Sequence, residues 1–324
     1  MNKYSIPNTD LNVSRIAYGT TGISGTWSKD AVTDEVVAKG VKSVAAALEN
    51  GINFFDLADI YAFGKSEMVF GKIMKELKIK RDEIIIQSKC GVRFEGEPNP
   101  DSPGRYDFTY EHIINSVNGS LNRLDIEQLD ILLLHRPDLL MEPDEVAKAF
   151  SDLKQSVKVR YFGVSNFNAG YMTLLQNSMD QPLVVSQLEI SIMHHHVIND
   201  DVMVNQLRNE YGSAAGLLTH CRLNNIQVQA WTPVAYGRIF NPSEDAGERI
   251  KNVARQLTVY GEEKGCGEDS IALAWLLRHP AKIQPVIGTT KPARIASSCK
   301  ADEIELSREE WYTLFNLARG KNVP

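Results

Sequence analysis

Short apolar runs alternate with segments of helical periodicity along almost the whole chain, and this alternation limits the possible folds more than any other feature. The first run lies at residues 15–19 and the eighth at residues 285–288. Strands that alternate with helices pair in parallel, and eight such units close a sheet into a barrel. The sequence therefore predicts an α/β fold, a (β/α)8 TIM barrel, with residues 1–324 as a single domain.

The remaining predicted strands are the run that ends at Asp56 and residues 84–89, 131–135, 159–165, 183–187 and 226–231. Residues 8–15 are expected to form an N-terminal β-hairpin with its turn at 8–10. Helical spacing at 249–264, 270–279 and 308–319 exceeds what eight units need, which predicts extra helices outside the barrel. No glycine-rich dinucleotide fingerprint follows an early strand, so a Rossmann domain is disfavoured.

Composition excludes several classes of protein. The 324 residues include 35 Lys and Arg against 41 Asp and Glu, a net charge of −6 at pH 7, which is not typical of a nucleic-acid binder. The sequence contains no apolar run long enough to span a membrane and no signal core at the N-terminus. Its four cysteines are scattered without paired spacing. We therefore expect a cytoplasmic protein with neither a membrane nor a nucleic-acid partner.

Single ionisable residues end three of the predicted strands. Asp56, Lys89 and His135 each follow an apolar run, and Tyr61 lies five positions after Asp56. Taken alone, a Tyr at a strand end is usually interfacial and an Asp there often caps a helix. The carboxyl ends of parallel strands, however, face one side of a barrel, so the four side chains are expected to converge.

Four such side chains in one pocket suit the protonation of a carbonyl oxygen. A free phenol has a pKa of about 10, and a neighbouring ammonium lowers such a pKa by stabilising the phenolate. An aspartate beside the lysine keeps it charged, and a histidine can orient the carbonyl. None of these groups can donate a hydride, which implies a nicotinamide cofactor.

Residues at the ends of the later strands are candidates for holding that cofactor. Ser165, Asn166 and Gln187 carry hydroxyl and amide groups that can bind a carboxamide, and Trp231 can stack on a flat ring. The alternative is that Ser165 and Asn166 cap the next helix and that Trp231 belongs to the core.

With these motifs in place, the chain resembles the aldo-keto reductase superfamily along nearly its whole length. The motifs are NFFD with Tyr61, then Lys89, HRPD at 135–138, GVSNF at 163–167, Gln187 and the region 289–294. The HRPD motif resembles that of a branch of bacterial general oxidoreductases. The resemblance implies a TIM barrel that binds NADP(H) across its carboxyl face and reduces a small-molecule carbonyl substrate.

The resemblance also implies roles for individual residues. Tyr61 would be the general acid, with Lys89, Asp56 and His135 completing a tetrad. Ser165, Asn166 and Gln187 would bind the nicotinamide carboxamide, Trp231 would stack on its ring, and residues 234–248 would fold over the pyrophosphate.

The adenosine-phosphate motif departs from the pattern common in the family. Where many members have a lysine after strand eight, this chain has Gly288 and Thr289, followed by Arg294. Thr289 and Arg294 are the predicted ligands of a 2′-phosphate, since a guanidinium there favours phosphate over a bare ribose hydroxyl. We therefore expect a preference for NADPH.

Loop segments are expected to form the substrate pocket. Residues 93–107 are rich in Pro and Gly and are predicted to be an irregular lid, while Trp27, Phe63 and the insertion 190–223 are predicted walls. Three adjacent histidines, 194–196, cannot converge on one point of a regular element, so no metal role is expected and a polar loop bordering the pocket is predicted instead.

Two other functions fit the same residues. Lys89 could form a Schiff base, as in aldolase-type barrels. The barrel could instead belong to a cofactor-binding regulatory subunit with little turnover.

Overall fold

The computed structural model describes residues 1–203 and 216–324 of the chain. Its strands are β1 (Lys3–Ser5), β2 (Asn12–Ser14), β3 (Ala17–Gly19), β4 (Phe54–Asp56), β5 (Ile85–Cys90), β6 (Val92–Arg93), β7 (Arg105–Tyr106), β8 (Leu129–Leu134), β9 (Val159–Ser165), β10 (Leu183–Glu189), β11 (Gln227–Trp231) and β12 (Gln284–Ile287). Its α-helices are α1 (Asp34–Glu49), α2 (Lys65–Glu76), α3 (Tyr110–Leu124), α4 (Pro143–Gln155), α5 (Ala169–Gln176), α6 (His196–Asn199), α7 (Leu217–Leu223), α8 (Glu248–Lys264), α9 (Glu268–Leu277), α10 (Pro292–Cys299) and α11 (Arg308–Arg319).

A closed barrel of eight parallel strands confirms the predicted (β/α)8 architecture. The strands follow one another around the barrel in the order β3-β4-β5-β8-β9-β10-β11-β12, and β12 pairs with β3 to close it. Their residues are mostly buried because helices cover the outside and side chains fill the inside. All eight carboxyl ends therefore face one side, where the loops carry the candidate site.

The N-terminal hairpin closes the opposite end of the barrel and starts earlier than predicted. Lys3 pairs with Ser14, so the antiparallel strands are β1 and β2 rather than a hairpin confined to 8–15. Ile6, Leu11 and Val13 are fully buried and pack into the barrel interior. The β1 strand escaped sequence analysis because its exposed Lys3 and Ser5 flank a single apolar residue.

Extra helices lie where the sequence predicted them. Both α8 and α9 lie between β11 and β12, and α11 ends the chain. The Trp275 and Trp311 rings stack at 5.0 Å between centroids and join α9 to α11. Within the described residues, no helix combines the length and apolarity that crossing a membrane requires.

The segment at 93–107, predicted to be irregular, is paired at its base. Val92 pairs with Tyr106 and Arg93 with Arg105 in a two-stranded antiparallel sheet. Arg93 and Asp107 also form an ion pair at 2.5 Å between Nε and Oδ2. The period-2 pattern was too short, at two residues a strand, to be visible in the sequence.

Candidate active site

Four predicted residues come together at the carboxyl end of the barrel. Asp56 ends β4, Lys89 lies near the end of β5, and His135 directly follows β8. Tyr61 lies in the turn between β4 and α2. Because β4, β5 and β8 are successive strands of the sheet, their ends present these groups to the same small volume.

Lys89 is the centre of the group and all three of its ammonium protons have acceptors. Nζ donates to both Asp56 carboxylate oxygens at 2.8 Å, to the Leu57 carbonyl at 2.7 Å and to Tyr61 Oη at 3.0 Å. Burial opposes the charged form, but the Asp56 carboxylate and then Tyr61 outweigh it and raise the Lys89 pKa. The side chain is therefore a fixed positive charge beside the phenol.

His135 lies on the other side of Tyr61 as a neutral imidazole. The two ring centroids are 5.9 Å apart and the planes are nearly perpendicular. Burial, followed by the positive charges of Lys89 and Arg136, holds the His135 pKa well below its usual range. A neutral ring carries one N–H donor and one acceptor, so it can hold a carbonyl oxygen without adding a full charge.

Ser165, Asn166 and Trp231 form a second group linked to the first. Asn166 Nδ2 donates to the His135 carbonyl at 3.1 Å and to Ser165 Oγ at 2.9 Å, while Trp231 Nε1 donates to Asn166 Oδ1 at 3.2 Å. Asn166 has a positive φ of 63°, which turns its side chain back toward the β8 end.

The alternative assignments for this second group are wrong. Asn168, not Asn166, caps α5 by accepting from the Tyr171 backbone N–H at 2.8 Å. Trp231 is only partly buried, at the end of β11, and the Arg136 guanidinium lies 5.6 Å from its ring centroid. Gln187 lies beside Ser165 in the register of β9 and β10 and is almost fully buried.

Thr289 and Arg294 lie further along, beyond β12. Thr289 Oγ1 accepts from the Lys291 backbone N–H at 3.3 Å, and Arg294 is exposed in the first turn of α10. No hydrogen bond or ion pair among the described residues joins them to the group around Lys89. An exposed guanidinium beside the amino end of a helix suits a phosphate.

Aromatic side chains line the approach to Tyr61. Trp27 lies with its ring centroid 6.4 Å from those of both Tyr61 and Phe63, and Phe63 is 4.7 Å from Phe94. Phe94 belongs to the segment at 93–107, so this segment packs against Phe63, and its part in a substrate wall stays a prediction. Of the predicted wall at 190–223, residues 204–215 lie outside the described part of the chain.

The prediction for the histidine run is wrong for its middle member. His195 is 3% exposed, its Nδ1 lies 2.6 Å from the Ile192 carbonyl, and its ring packs edgewise on Phe315 of α11. It therefore helps to fix the C-terminal helix rather than bordering the pocket. Sequence could not show this contact, because Phe315 lies 120 positions along the chain.

Two glutamines that sequence analysis missed contact the site from below. Gln87 Nε2 donates to Asp56 Oδ1 at 2.7 Å and to Gln229 Oε1 at 2.8 Å. Their signal was a polar residue two positions before Lys89 and Trp231, on the same face of each strand.

The sequence and the fold of this chain are similar to those of known proteins. The model of the Aldo/keto reductase family matches residues 15–318. The chain belongs to the aldo/keto reductase family. Family membership identifies an oxidoreductase and implies carbonyl chemistry with a nicotinamide cofactor.

Similar proteins span nearly the same length as this aldo/keto reductase. A 6-dehydroglucose reductase of Agrobacterium fabrum is 35% identical over 97% of both chains. The oxidoreductase YdhF of Escherichia coli is 34% identical over 88% of this chain and 89% of its own. A glycerol dehydrogenase structure from Gluconobacter oxydans, at 23% identity, has a TM-score of 0.81 over 98% of this chain and 94% of its own, which supports the same fold.

Proposed function

We propose that this aldo/keto reductase reduces aldehydes or ketones to alcohols, with NADP(H) as the hydride carrier and Tyr61 as the general acid. The observation that supports this most directly is the 3.0 Å contact between Lys89 Nζ and Tyr61 Oη beside the neutral ring of His135. A phenol, a fixed ammonium and a neutral donor around one point are what protonation of a carbonyl oxygen needs.

The chain's own part in the reaction is proton transfer and charge stabilisation. When bound, the reduced nicotinamide supplies the hydride to the carbonyl carbon. Tyr61 Oη gives its proton to the carbonyl oxygen, and Lys89 stabilises the phenolate that remains. His135 donates a hydrogen bond to the same oxygen, and Asp56 keeps Lys89 charged and in place.

Residues at the carboxyl ends of β9, β10 and β11 have the groups that a nicotinamide needs. Ser165, Asn166 and Gln187 would bind the carboxamide, since a hydroxyl and two amides supply both donors and acceptors. Trp231 would stack on the nicotinamide with the exposed part of its ring. Its Nε1 donates to Asn166 Oδ1 at 3.2 Å, which fixes the ring in place. Asn166 connects these groups to His135, because its Nδ2 donates to the His135 carbonyl at 3.1 Å.

The choice of NADP(H) over NAD(H) rests on Thr289 and Arg294. Arg294 is exposed and has no carboxylate partner among the ion pairs of the described residues, which leaves its guanidinium free for a 2′-phosphate. The four cysteines, at 90, 221, 266 and 299, are free thiols, in keeping with the cytoplasmic location that we propose.

The Schiff-base aldolase and the regulatory subunit fit this site less well than a reductase does. A Schiff base needs a neutral amine with a free lone pair, whereas the Lys89 protons all have acceptors and its pKa is raised. A regulatory subunit without turnover would have no use for a phenol held against that ammonium. Tight cofactor binding with negligible turnover on every carbonyl would nevertheless favour it.

The test is a titration with NADPH and NADH followed by a carbonyl screen. Saturable binding with NADPH preferred, and oxidation of NADPH that depends on a carbonyl, are the expected results. The panel includes aromatic and aliphatic aldehydes, ketones and 6-dehydroglucose, the last because of the name of the Agrobacterium relative. Absence of binding would contradict the proposal, and borohydride trapping of a substrate on Lys89 would favour the aldolase.

A further inference from the structure

Four buried glutamines form a polar layer across the barrel interior, directly below Asp56 and Lys89. They lie on β5, β10, β11 and β12, and each is at most 1% exposed: Gln87, Gln187, Gln229 and Gln284. The interior below this layer is apolar and is filled by residues such as Phe54, Ile131 and the hairpin side chains. Buried amides are costly unless they are hydrogen-bonded. Of the amide oxygens of this layer, Gln87 Oε1 is buried and has no hydrogen-bond partner among the described residues.

Gln229 joins the other three amides. Its Oε1 accepts from Gln87 Nε2 at 2.8 Å and from Gln187 Nε2 at 3.0 Å, and its Nε2 donates to Gln284 Oε1 at 2.9 Å. Gln284 Nε2 in turn donates to the Ser14 carbonyl at 2.7 Å. Because a backbone carbonyl can only accept, this last bond sets the orientation of Gln284 and, through it, of the other three amides.

One end of the network reaches the acid–base group. Gln87 Nε2 donates to Asp56 Oδ1 at 2.7 Å, and the same oxygen accepts from Lys89 Nζ at 2.8 Å. The Asp56 carboxylate can only accept, which agrees with the orientation imposed from Ser14. A neutral donor on Oδ1 disperses the carboxylate charge, so that Lys89 retains more of its positive field at Tyr61.

The other end of the network reaches the proposed nicotinamide side. Gln187 uses Nε2 for Gln229, which leaves Oε1 as the atom that can accept an N–H from a bound carboxamide. Gln187 is also the register partner of Ser165 in the neighbouring strand. An amide free to rotate would offer donor or acceptor equally, whereas this one is held in a single orientation.

We propose that Gln87 and Gln229 are positioning residues. Through hydrogen bonds across the barrel interior, they hold the Asp56–Lys89 pair and the Gln187 amide in fixed positions relative to each other. This inference rests on the proposed function. It predicts that the two halves of the site, acid–base and nicotinamide, respond together to one amide that touches neither substrate nor cofactor.

The test compares Gln87→Met and Gln229→Met with Gln227→Met. Gln227 is a matched control because it is also buried in β11, but its Nε2 donates to the Val228 and Lys282 carbonyls, outside the network. For each variant we would measure kcat, its pH profile, the NADPH dissociation constant by fluorescence and the urea unfolding midpoint.

The expected results separate positioning from simple packing. All three variants lose stability, but Gln87→Met also lowers kcat by about tenfold, the value of one hydrogen bond in the transition state. In Gln87→Met, the alkaline limb of the pH–rate profile moves to higher pH. The Asp56 charge is then less dispersed, so Lys89 stabilises the Tyr61 phenolate less and the Tyr61 pKa rises. Gln229→Met lowers kcat and also weakens NADPH binding several-fold, since it releases Gln187.

Several outcomes would overturn the inference. Suppose that the wild type is active and that Gln87→Met and Gln229→Met have the same rate, pH profile and NADPH binding as Gln227→Met. The network would then contribute to packing only. If Gln87→Met fails to fold, an unchanged NADPH dissociation constant and kcat in Gln229→Met would have the same meaning. A wild type that neither binds NADPH nor reduces a carbonyl would instead overturn the proposed function, and this inference with it.

Discussion

Lys89 Nζ lies 3.0 Å from Tyr61 Oη while it is bonded to both oxygens of Asp56 and to the Leu57 carbonyl. The lysine is completely buried, so the phenol is the one member of this set that combines access to the pocket with a transferable proton. The arrangement favours Lys89 as a fixed positive charge beside Tyr61 over Lys89 as a nucleophile.

Asp56→Asn is expected to destabilise the fold strongly, because it leaves the buried Lys89 charge without its carboxylate. Breaking a buried pair on one side costs about 3–5 kcal/mol. Asp125→Asn is the matched control, since the Lys75–Asp125 pair has both side chains 68% exposed and such pairs contribute little to stability. Urea unfolding of both variants measures the difference. Equal losses would mean that the buried pair contributes no more than the exposed one.

His279→Gln is expected to reduce acid sensitivity. Burial, followed by the charge of Arg222, lowers the His279 pKa to about 4, and its Nδ1 accepts from the Ala281 backbone N–H at 3.2 Å. As the pH falls below about 6.5 the unfolded chain takes up a proton that the folded chain refuses, so stability is lost between pH 6.5 and 4.

The measurement is the free energy of unfolding at pH 7 and pH 4.5 for the wild type and His279→Gln. Between the two pH values the wild type should lose about 2–2.5 kcal/mol more than the variant. The glutamine can still accept from Ala281, so the pH 7 values should lie close together. An identical loss of stability at pH 4.5 in both proteins would show that His279 has the same pKa in the folded and the unfolded chain.

Arg294→Ala should weaken NADPH binding about ten- to hundredfold, the value of a charge-assisted bond of about 1.5–3 kcal/mol. NADH lacks the 2′-phosphate, so its dissociation constant should change by less than about threefold. Arg308→Ala removes an exposed cation at the start of α11 and controls for net charge. A loss of the same size for both cofactors would remove the 2′-phosphate assignment from Arg294.

The barrel and the strand ends could be predicted because they follow from local pattern. Apolar runs set the strands, and a single ionisable residue after each run stands out against it, as with Asp56, Lys89 and His135. Parallel pairing then places such residues on one side without further information. The contacts around Ser165 and Asn166 could not be predicted, since a helix cap and a site residue look alike in sequence.

What sequence could not supply depends on distant partners. Gln87 and Gln229 lie 142 positions apart, yet they share a hydrogen bond at 2.8 Å inside the barrel. His195 is buried by Phe315 of the last helix. The β1 strand and the short β6–β7 pair had too few residues to display a period. In each case the deciding energy comes from tertiary packing rather than from local propensity.

The most direct test of the account is Tyr61→Phe, measured for NADPH-dependent carbonyl reduction and for NADPH binding on the same preparation. The substitution removes only the hydroxyl that lies 3.0 Å from Lys89 Nζ. We predict that kcat falls by about 10²–10⁴-fold while the NADPH dissociation constant stays within about threefold. Carbonyl reduction at the wild-type rate in Tyr61→Phe would contradict the assignment of Tyr61 as the general acid.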